Sequence, residues 1–205
     1  VYFGSSTGIA ATPSWRCPGT NTGDCGISTA SFPLGTSFGS AIAGEDLNGD
    51  TFVDLIVGAR DDGSGAGKAY VFYSSGCGLE SSTCTPPLSR TERAGASGEL
   101  FVAALAGLGD MDGDGFGDLL TGSPGYSSSK GRAMVIRGSA NGLPTSGSAW
   151  SKDGANANDK FGSAVVLAGD LNADGFSDIA IGAPFEGSAP ALGKAHVFYG
   201  ESSTY

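Results

Sequence analysis

Three stretches of this 205-residue chain set aspartates and asparagines at alternate positions of a short loop. In the last of them Asp170, Asn172, Asp174 and Asp178 stand at positions 1, 3, 5 and 9. Alternate residues of a tight loop can turn their oxygens inward around one cation. Gly175 at position 6 permits the left-handed turn that reverses the chain, and the carbonyl of Phe176 at position 7 completes the set. By the same reading Asp110, Asp112, Asp114, Phe116 and Asp118 form a second site, and Asp46, Asn48, Asp50, Phe52 and Asp54 a first. Only oxygens are offered, so a hard cation is implied. Calcium, with about 6–8 flexible oxygen ligands, fits better than octahedral, water-retaining magnesium. An EF-hand is excluded: it needs a glutamate at position 12 and flanking helices, and Val57, Thr121 and Ile181 stand there inside apolar runs. The competing reading is a solvated Asp/Gly turn without metal, and three loops in one register favour calcium. The metal's expected role is structural, as the counterion for aspartates that repel one another. The sites should also differ. The second carries four carboxylates and the others three, while Thr51 replaces the glycine of position 6. A β-branched residue resists positive φ, so the first site is expected to be the weakest or to have an altered turn.

Other chemistry is poorly served. Two Gly-x-Ser-x-Gly matches, Gly4–Gly8 and Gly35–Gly39, lack the following helix that makes such a serine a nucleophile. His196 is the only histidine, lies in a strand-like run, and reads as structural. Gly63 to Lys68 lacks the spacing of a phosphate loop and reads as a hairpin turn. Trp15 and Trp150 read as packing residues, with sugar stacking as the alternative. The four cysteines form two close pairs, Cys17/Cys25 and Cys77/Cys84, each bracketing a polar, turn-rich stretch. That spacing favours two local disulfides over free thiols or zinc, and oxidised cysteines would imply an extracellular setting.

The loops recur because the whole chain repeats. Segments starting at Phe38, Phe101 and Phe161 align, their first aspartates lying at 46, 110 and 170. Each ends in a short apolar run, Lys68–Tyr73, Arg132–Arg137 or Lys194–Tyr199. These runs are rich in Val, Ile, Phe and Tyr and bounded by Gly, Asp, Ser and Pro, the pattern of strands rather than helices. Each unit supplies one strand before its aspartate loop, one after it, and one at the aromatic run. A weaker fourth strand is expected near Trp15, Leu88 and Trp150. Four antiparallel strands repeated in this way fit the blades of an all-β propeller, and the small residues after Phe38 suit its crowded axis.

Phe-Gly, then Asp-x-Asn/Asp-x-Asp-Gly-x-x-Asp, then Gly-Ala-Pro resembles the FG-GAP repeat of integrin α-subunit propellers. The departures are Val102 after Phe101, Gly58-Ala59-Arg60 in the first repeat and Gly122-Ser123-Pro124 in the second. The resemblance implies blades of a seven-bladed ring, with calcium in the hairpins between strands one and two. It also implies a secreted or cell-surface, non-enzymatic module whose loops bind a protein or carbohydrate ligand. Accessory propellers of secreted enzymes and structural subunits of surface assemblies are the alternatives. The expected organisation is a partial blade with a disulfide loop at 1–31, blades at 32–95 and 96–155, and a blade lacking its last strand at 156–205. Val1 to Ile9 reads as a third strand and its turn. The remaining blades are expected in the same parent chain or, as the rival, in another chain.

Composition agrees. Thirty-six glycines disfavour a helical bundle, and no Gly-X-Y period marks collagen. The formal charge of −10 argues against nucleic acid or an anionic membrane surface as partner. No apolar run approaches the ~20 residues of a membrane span. Ten of the 21 acidic residues occupy proposed ligand positions, so three bound calcium ions would bring the charge from −10 to about −4.

Overall fold

The computed structural model describes residues 4–5, 8–9, 35–75, 90–187 and 192–201. The four cysteines, Trp15, Leu88 and most of 1–31 lie outside the described residues. A two-residue ribbon, β1 (Gly4–Ser5) with β2 (Gly8–Ile9), is followed by three antiparallel meanders. The first runs β3 (Phe38–Glu45), β4 (Asp54–Ala59), β5 (Lys68–Phe72) and β6 (Arg90–Ala94). The second runs β7 (Ala104–Gly109), β8 (Asp118–Ser123), β9 (Arg132–Ile136) and β10 (Trp150–Asp153). The third, among the described residues, has three strands: β11 (Ala164–Gly169), β12 (Asp178–Ala183) and β13 (Lys194–Phe198). Neighbouring strands within each sheet are consecutive in sequence, so each sheet is an antiparallel meander. Two single turns, Asp62–Gly65 and Tyr126–Ser129, join strands two and three of the first and second sheets.

The sheets stack through their first strands, β7 packing against β3 on one side and β11 on the other. The second sheet is therefore covered on both faces, and β8 is buried along its whole length. Its side chains divide by the strand period of two. Leu119, Met134 and Ile136 meet Leu47, Ile56, Val71 and Tyr73 of the first sheet. Leu120, Ala133 and Val135 meet Phe161, Ile179 and Ile181 of the third. Each fully buried side chain of this size contributes roughly 1.5–3 kcal/mol. The seams also carry polar ties. The hydroxyl of Tyr73 accepts from the backbone N–H of Leu143, 2.8 Å away, across the first seam. Trp150 packs edge-on against Phe198 across the second, a packing role.

The repeat motif has a mechanical reading here. A Cβ at Gly122, the glycine of Gly-Ser-Pro, would lie 2.0 Å from the carbonyl oxygen of Gly162, in the Phe-Gly of the next sheet. Glycine is needed where one backbone passes this close to another. Val102 stands where the other repeats have glycine, and it takes their left-handed φ, +56° against +90° at Gly39 and +84° at Gly162. The strain of that conformation is of order 1–3 kcal/mol. Complete burial of its side chain in the first seam opposes that cost.

Candidate metal centres

The three aspartate loops connect β3 to β4, β7 to β8 and β11 to β12, the corresponding hairpin of each sheet. Their internal hydrogen bonds repeat. The position-1 carboxylate accepts backbone N–H groups from positions 5 and 6: Asp50 and Thr51 onto Asp46, Asp114 and Gly115 onto Asp110, Asp174 and Gly175 onto Asp170. The position-3 oxygen of Asn48, Asp112 or Asn172 accepts from position 5. The position-5 carboxylate accepts from the N–H of Phe52, Phe116 or Phe176. These bonds draw side chains 1, 3 and 5 to the inside of the loop.

In the second loop one carboxylate oxygen each from Asp110, Asp112 and Asp114 lies within 4.8 Å of the other two. Ligands at about 2.3–2.6 Å from one calcium ion can be no further apart than about twice that distance, so the group fits the ion. In the first and third loops the amide of Asn48 or Asn172 donates to Asp50 or Asp174, at 3.0 and 2.7 Å. Their oxygens share the same loop, with one carboxylate fewer.

The position-9 aspartates play a second part. Asp54, Asp118 and Asp178 are at most 1% exposed. One oxygen of each accepts the N–H of position 2 (Leu47, Met111, Leu171), and the other an N–H just after the third strand (Ser74, Gly138, Gly200). They lock the base of each loop to the end of its own third strand, and stand apart from the Asp110, Asp112 and Asp114 group. Each carboxylate retains free lone pairs beyond these two bonds.

Burial raises the Asp54 carboxyl to about 7, against lowering by the Ser74 and Leu47 N–H bonds, with Asp50 and Asp46 adding repulsion. Burial likewise raises Asp118 to about 6, against the Met111 and Gly138 bonds, with Asp112 and Asp114 repelling. Both values exceed the unfolded one, so the metal-free folded chain holds protons that the unfolded chain has lost. Their stabilisation is complete below about pH 4 and lost as pH rises through about 6 to 7. Thermal melts of chelated protein from pH 5 to 7.5 should fall in temperature, and saturating calcium should abolish that fall.

The turn expected to suffer at Thr51 is not altered. Thr51 adopts φ +73°, where Gly115 and Gly175 have +91° and +93°. The first loop keeps its shape at a cost of order 1–3 kcal/mol in backbone strain. Position 4 makes the same demand, which the sequence reading missed. Gly49, Gly113 and Ala173 there all have positive φ, and small residues at that position were the available signal.

The contact between the first two loops was missed as well. The N–H of Gly117 donates to Asp46 O at 2.7 Å, and that of Ser139 to Leu47 O at 3.0 Å. Glu45 joins them, its carboxylate accepting from Gly109 N at 2.8 Å and Asp46 N at 3.1 Å. The signal was spacing. Phe38 precedes its aspartate by one residue fewer than Phe101 and Phe161 do. The second and third sheets hold bulges ending at left-handed Gly109 and Gly169, whereas the first shifts its irregularity to Phe38/Ala41 and leaves Glu45 in register.

The residues considered for other chemistry have structural surroundings. Ser37 donates its hydroxyl to Asp61 and leads into β3, not a helix. His196 Nε2 lies 2.6 Å from Glu186 Oε2, beside Phe161. Gly63 to Lys68 forms the turn between β4 and β5.

Stacked antiparallel meanders, two of four strands and one of three among the described residues, each with an acidic hairpin between strands one and two, are the blades of an all-β propeller. The FG-GAP repeat model matches residues 38–72, 101–136 and 161–198, and the chain belongs to the FG-GAP repeat family. Integrin alpha-PS5 of Drosophila melanogaster is 34% identical over 161 residues, covering 74% of this chain and 15% of its own. Integrin alpha-4 of Xenopus laevis is 32% identical over 168 residues, covering 78% and 15%. Phosphatidylinositol-glycan-specific phospholipase D of Mus musculus is 39% identical over 101 residues, covering 44% and 12%. The chain thus spans 15% or less of the length of these relatives.

Proposed function

We propose that this chain is part of an extracellular, non-enzymatic β-propeller that binds a protein or carbohydrate ligand and is rigidified by three calcium ions. The observation that carries the calcium reading is one hydrogen-bond scheme in three loops, drawing alternate oxygens inward, with the Asp110, Asp112 and Asp114 oxygens within 4.8 Å. The ligands would be Asp46, Asn48, Asp50, Asp54 and the carbonyl of Phe52, and their counterparts in the second loop (Asp110, Asp112, Asp114, Phe116, Asp118) and third (Asp170, Asn172, Asp174, Phe176, Asp178). Calcium would supply the positive charge that lets these carboxylates sit together. This chain's own residues tie each loop to its strands through Asp54, Asp118 and Asp178. Among the described residues, no helix is long and apolar enough to cross a membrane.

The blades would comprise 32–95, 96–155 and 156–205, preceded by a partial blade at 1–31, with one disulfide, Cys17–Cys25, in the partial blade and another, Cys77–Cys84, in the blade at 32–95. The outer face of the third sheet supports further blades beyond these. Val166, Val197 and Tyr199 there are 52%, 43% and 56% exposed, while Tyr73, the counterpart of Tyr199, is sealed by the second sheet at 8%. A second reading, an accessory propeller of a larger enzyme, is favoured by the similarity to a phospholipase D.

Calorimetric titration of the chain tests the calcium reading. Three calcium ions should bind, with unequal affinities and the strained first loop weakest, and magnesium should bind far less well. Absence of calcium binding would overturn it. Retention on purified matrix proteins or an arrayed glycan in calcium, and release by chelator, tests the ligand reading.

A further inference from the structure

The repeats of one chain act as controls for one another, and the second departs from the others at two places that touch. Position 3 of the loop is Asn48, Asp112 and Asn172 in turn, and the residue after the third strand is Tyr73, Arg137 and Tyr199. Strand registers make the second set equivalent, each following a residue paired to position 10 of its loop: Leu55 with Phe72, Leu119 with Ile136, Ile179 with Phe198. Only the second blade has an acid at the first place and a base at the second. There Arg137 Nε lies 2.8 Å from Asp112 Oδ2.

The contact is Coulombic rather than a directed hydrogen bond. Nε and Nη2 of Arg137 are buried without a hydrogen-bond partner among the described residues. Two of the three guanidinium nitrogens are thus desolvated, although the side chain as a whole is 37% exposed, and the charge of Asp112 compensates them. Tyr73, by contrast, spends its hydroxyl on Leu143 and Thr91. Counting charge, the first and third loops carry three carboxylates each. The second carries four, and with Arg137 it too sums to −3.

We propose that Arg137 is a built-in counter-charge of the second loop: it neutralises the additional carboxylate of Asp112, holds that side chain at the loop, and brings the loop's affinity for calcium to the level set by three carboxylates. This rests on the calcium reading above. Asp112 then serves either Arg137 or the ion, so Arg137 competes with calcium for the fourth carboxylate.

Calorimetric calcium titration and melts of the full chain, with and without chelator, test this. Arg137→Tyr, which installs the residue of the other repeats, should tighten the second site. A unit charge about 5 Å from a partly screened surface site changes cation affinity by roughly tenfold. The same variant should melt lower than wild type in chelator, because four carboxylates then repel unopposed. Asp112→Asn alone, isosteric and native to the other loops, should weaken the site about tenfold with Arg137 still in place. The double variant should return towards wild-type affinity. Only the second loop holds both residues, so opposite single effects that cancel in the double variant assign the effect to it. A salt bridge with a purely structural role would lower stability in both conditions and leave affinity unmoved, which overturns the proposal. So would a double variant that keeps the affinity of either single variant. A wild-type chain that binds no calcium defeats the calcium reading instead.

Discussion

Gly131→Ala is expected to lower stability by about 3–5 kcal/mol, of which forced movement of a buried phenylalanine supplies most. Gly131 precedes β9 and forms a parallel bridge with Phe161 of the third sheet. Phe161 N–H donates to Lys130 O at 3.0 Å. A Cβ on Gly131 would lie 2.0 Å from the carbonyl oxygen of Phe161 and 2.5 Å from its nitrogen. These are backbone atoms and cannot rotate away. Either Phe161, 2% exposed in the second seam, leaves its pocket, or the bridge opens. The φ of +83° adds strain to any L side chain there. For a chain of this length the melting temperature should fall by about 10 °C or more, at about 2–4 °C per kcal/mol. Gly113→Ala is the control. Its φ is +77°, but nothing lies within 4 Å of the added Cβ, and Ala173 holds the same place in the third loop at φ +60°. It should cost only about 1 kcal/mol. Equal losses in both variants would show that conformation alone, and not the approach of the next sheet, requires glycine at Gly131.

That pair of variants also marks what the sequence exposed and what it hid. The strands were legible because short β-branched and aromatic runs lie between glycines and aspartates. Three copies in register turned a weak local pattern into a fold. The loops were legible because Asp and Asn recur at alternate positions, the pattern that ligation of one cation would require. What stayed hidden depends on contacts between repeats. Nothing local to Glu45 says that its carboxylate reaches Gly109, 64 residues on. Nothing local to Asp118 says that half of its hydrogen bonding holds Gly138. The Arg137–Asp112 pair was in principle visible, since both departures can be read by aligning the repeats. Their meaning needed the strand register that brings them together. The Thr51 expectation shows the opposite limit. A β-branched residue does resist positive φ, yet the neighbouring hydrogen bonds onto Asp46 override it, and the turn keeps its form.

Chelation is expected to have the largest effect, larger than any one substitution, because it acts on all three loops together. A native-state site held at about 100 times its dissociation constant contributes ~2.7 kcal/mol. Three sites then approach ~8 kcal/mol, a melting shift of about 15 °C or more for a chain of this size. The stabilisation has a defined route. Asp54 and Asp118 hold the loop bases, and burial, with repulsion from the neighbouring aspartates, penalises their ionised forms and raises the carboxyls to about 7 and about 6. A cation in each loop removes that penalty, tightening the bonds from Ser74 and Gly138 that anchor strand three. The first two loops should respond as a unit, since Gly117 donates to Asp46 and Glu45 bridges to Gly109. The third has no such bond to the second among the described residues. Asp174→Ala should therefore remove only its own share of the calcium-dependent shift, whereas Asp112→Ala should also loosen the first seam. Hydrogen exchange at Leu47 and Met111, compared in calcium and in chelator, reads this directly. Restoration of the melt by calcium but not magnesium completes the test. A melt indifferent to chelator would make these loops hydrogen-bonded turns that need no ion.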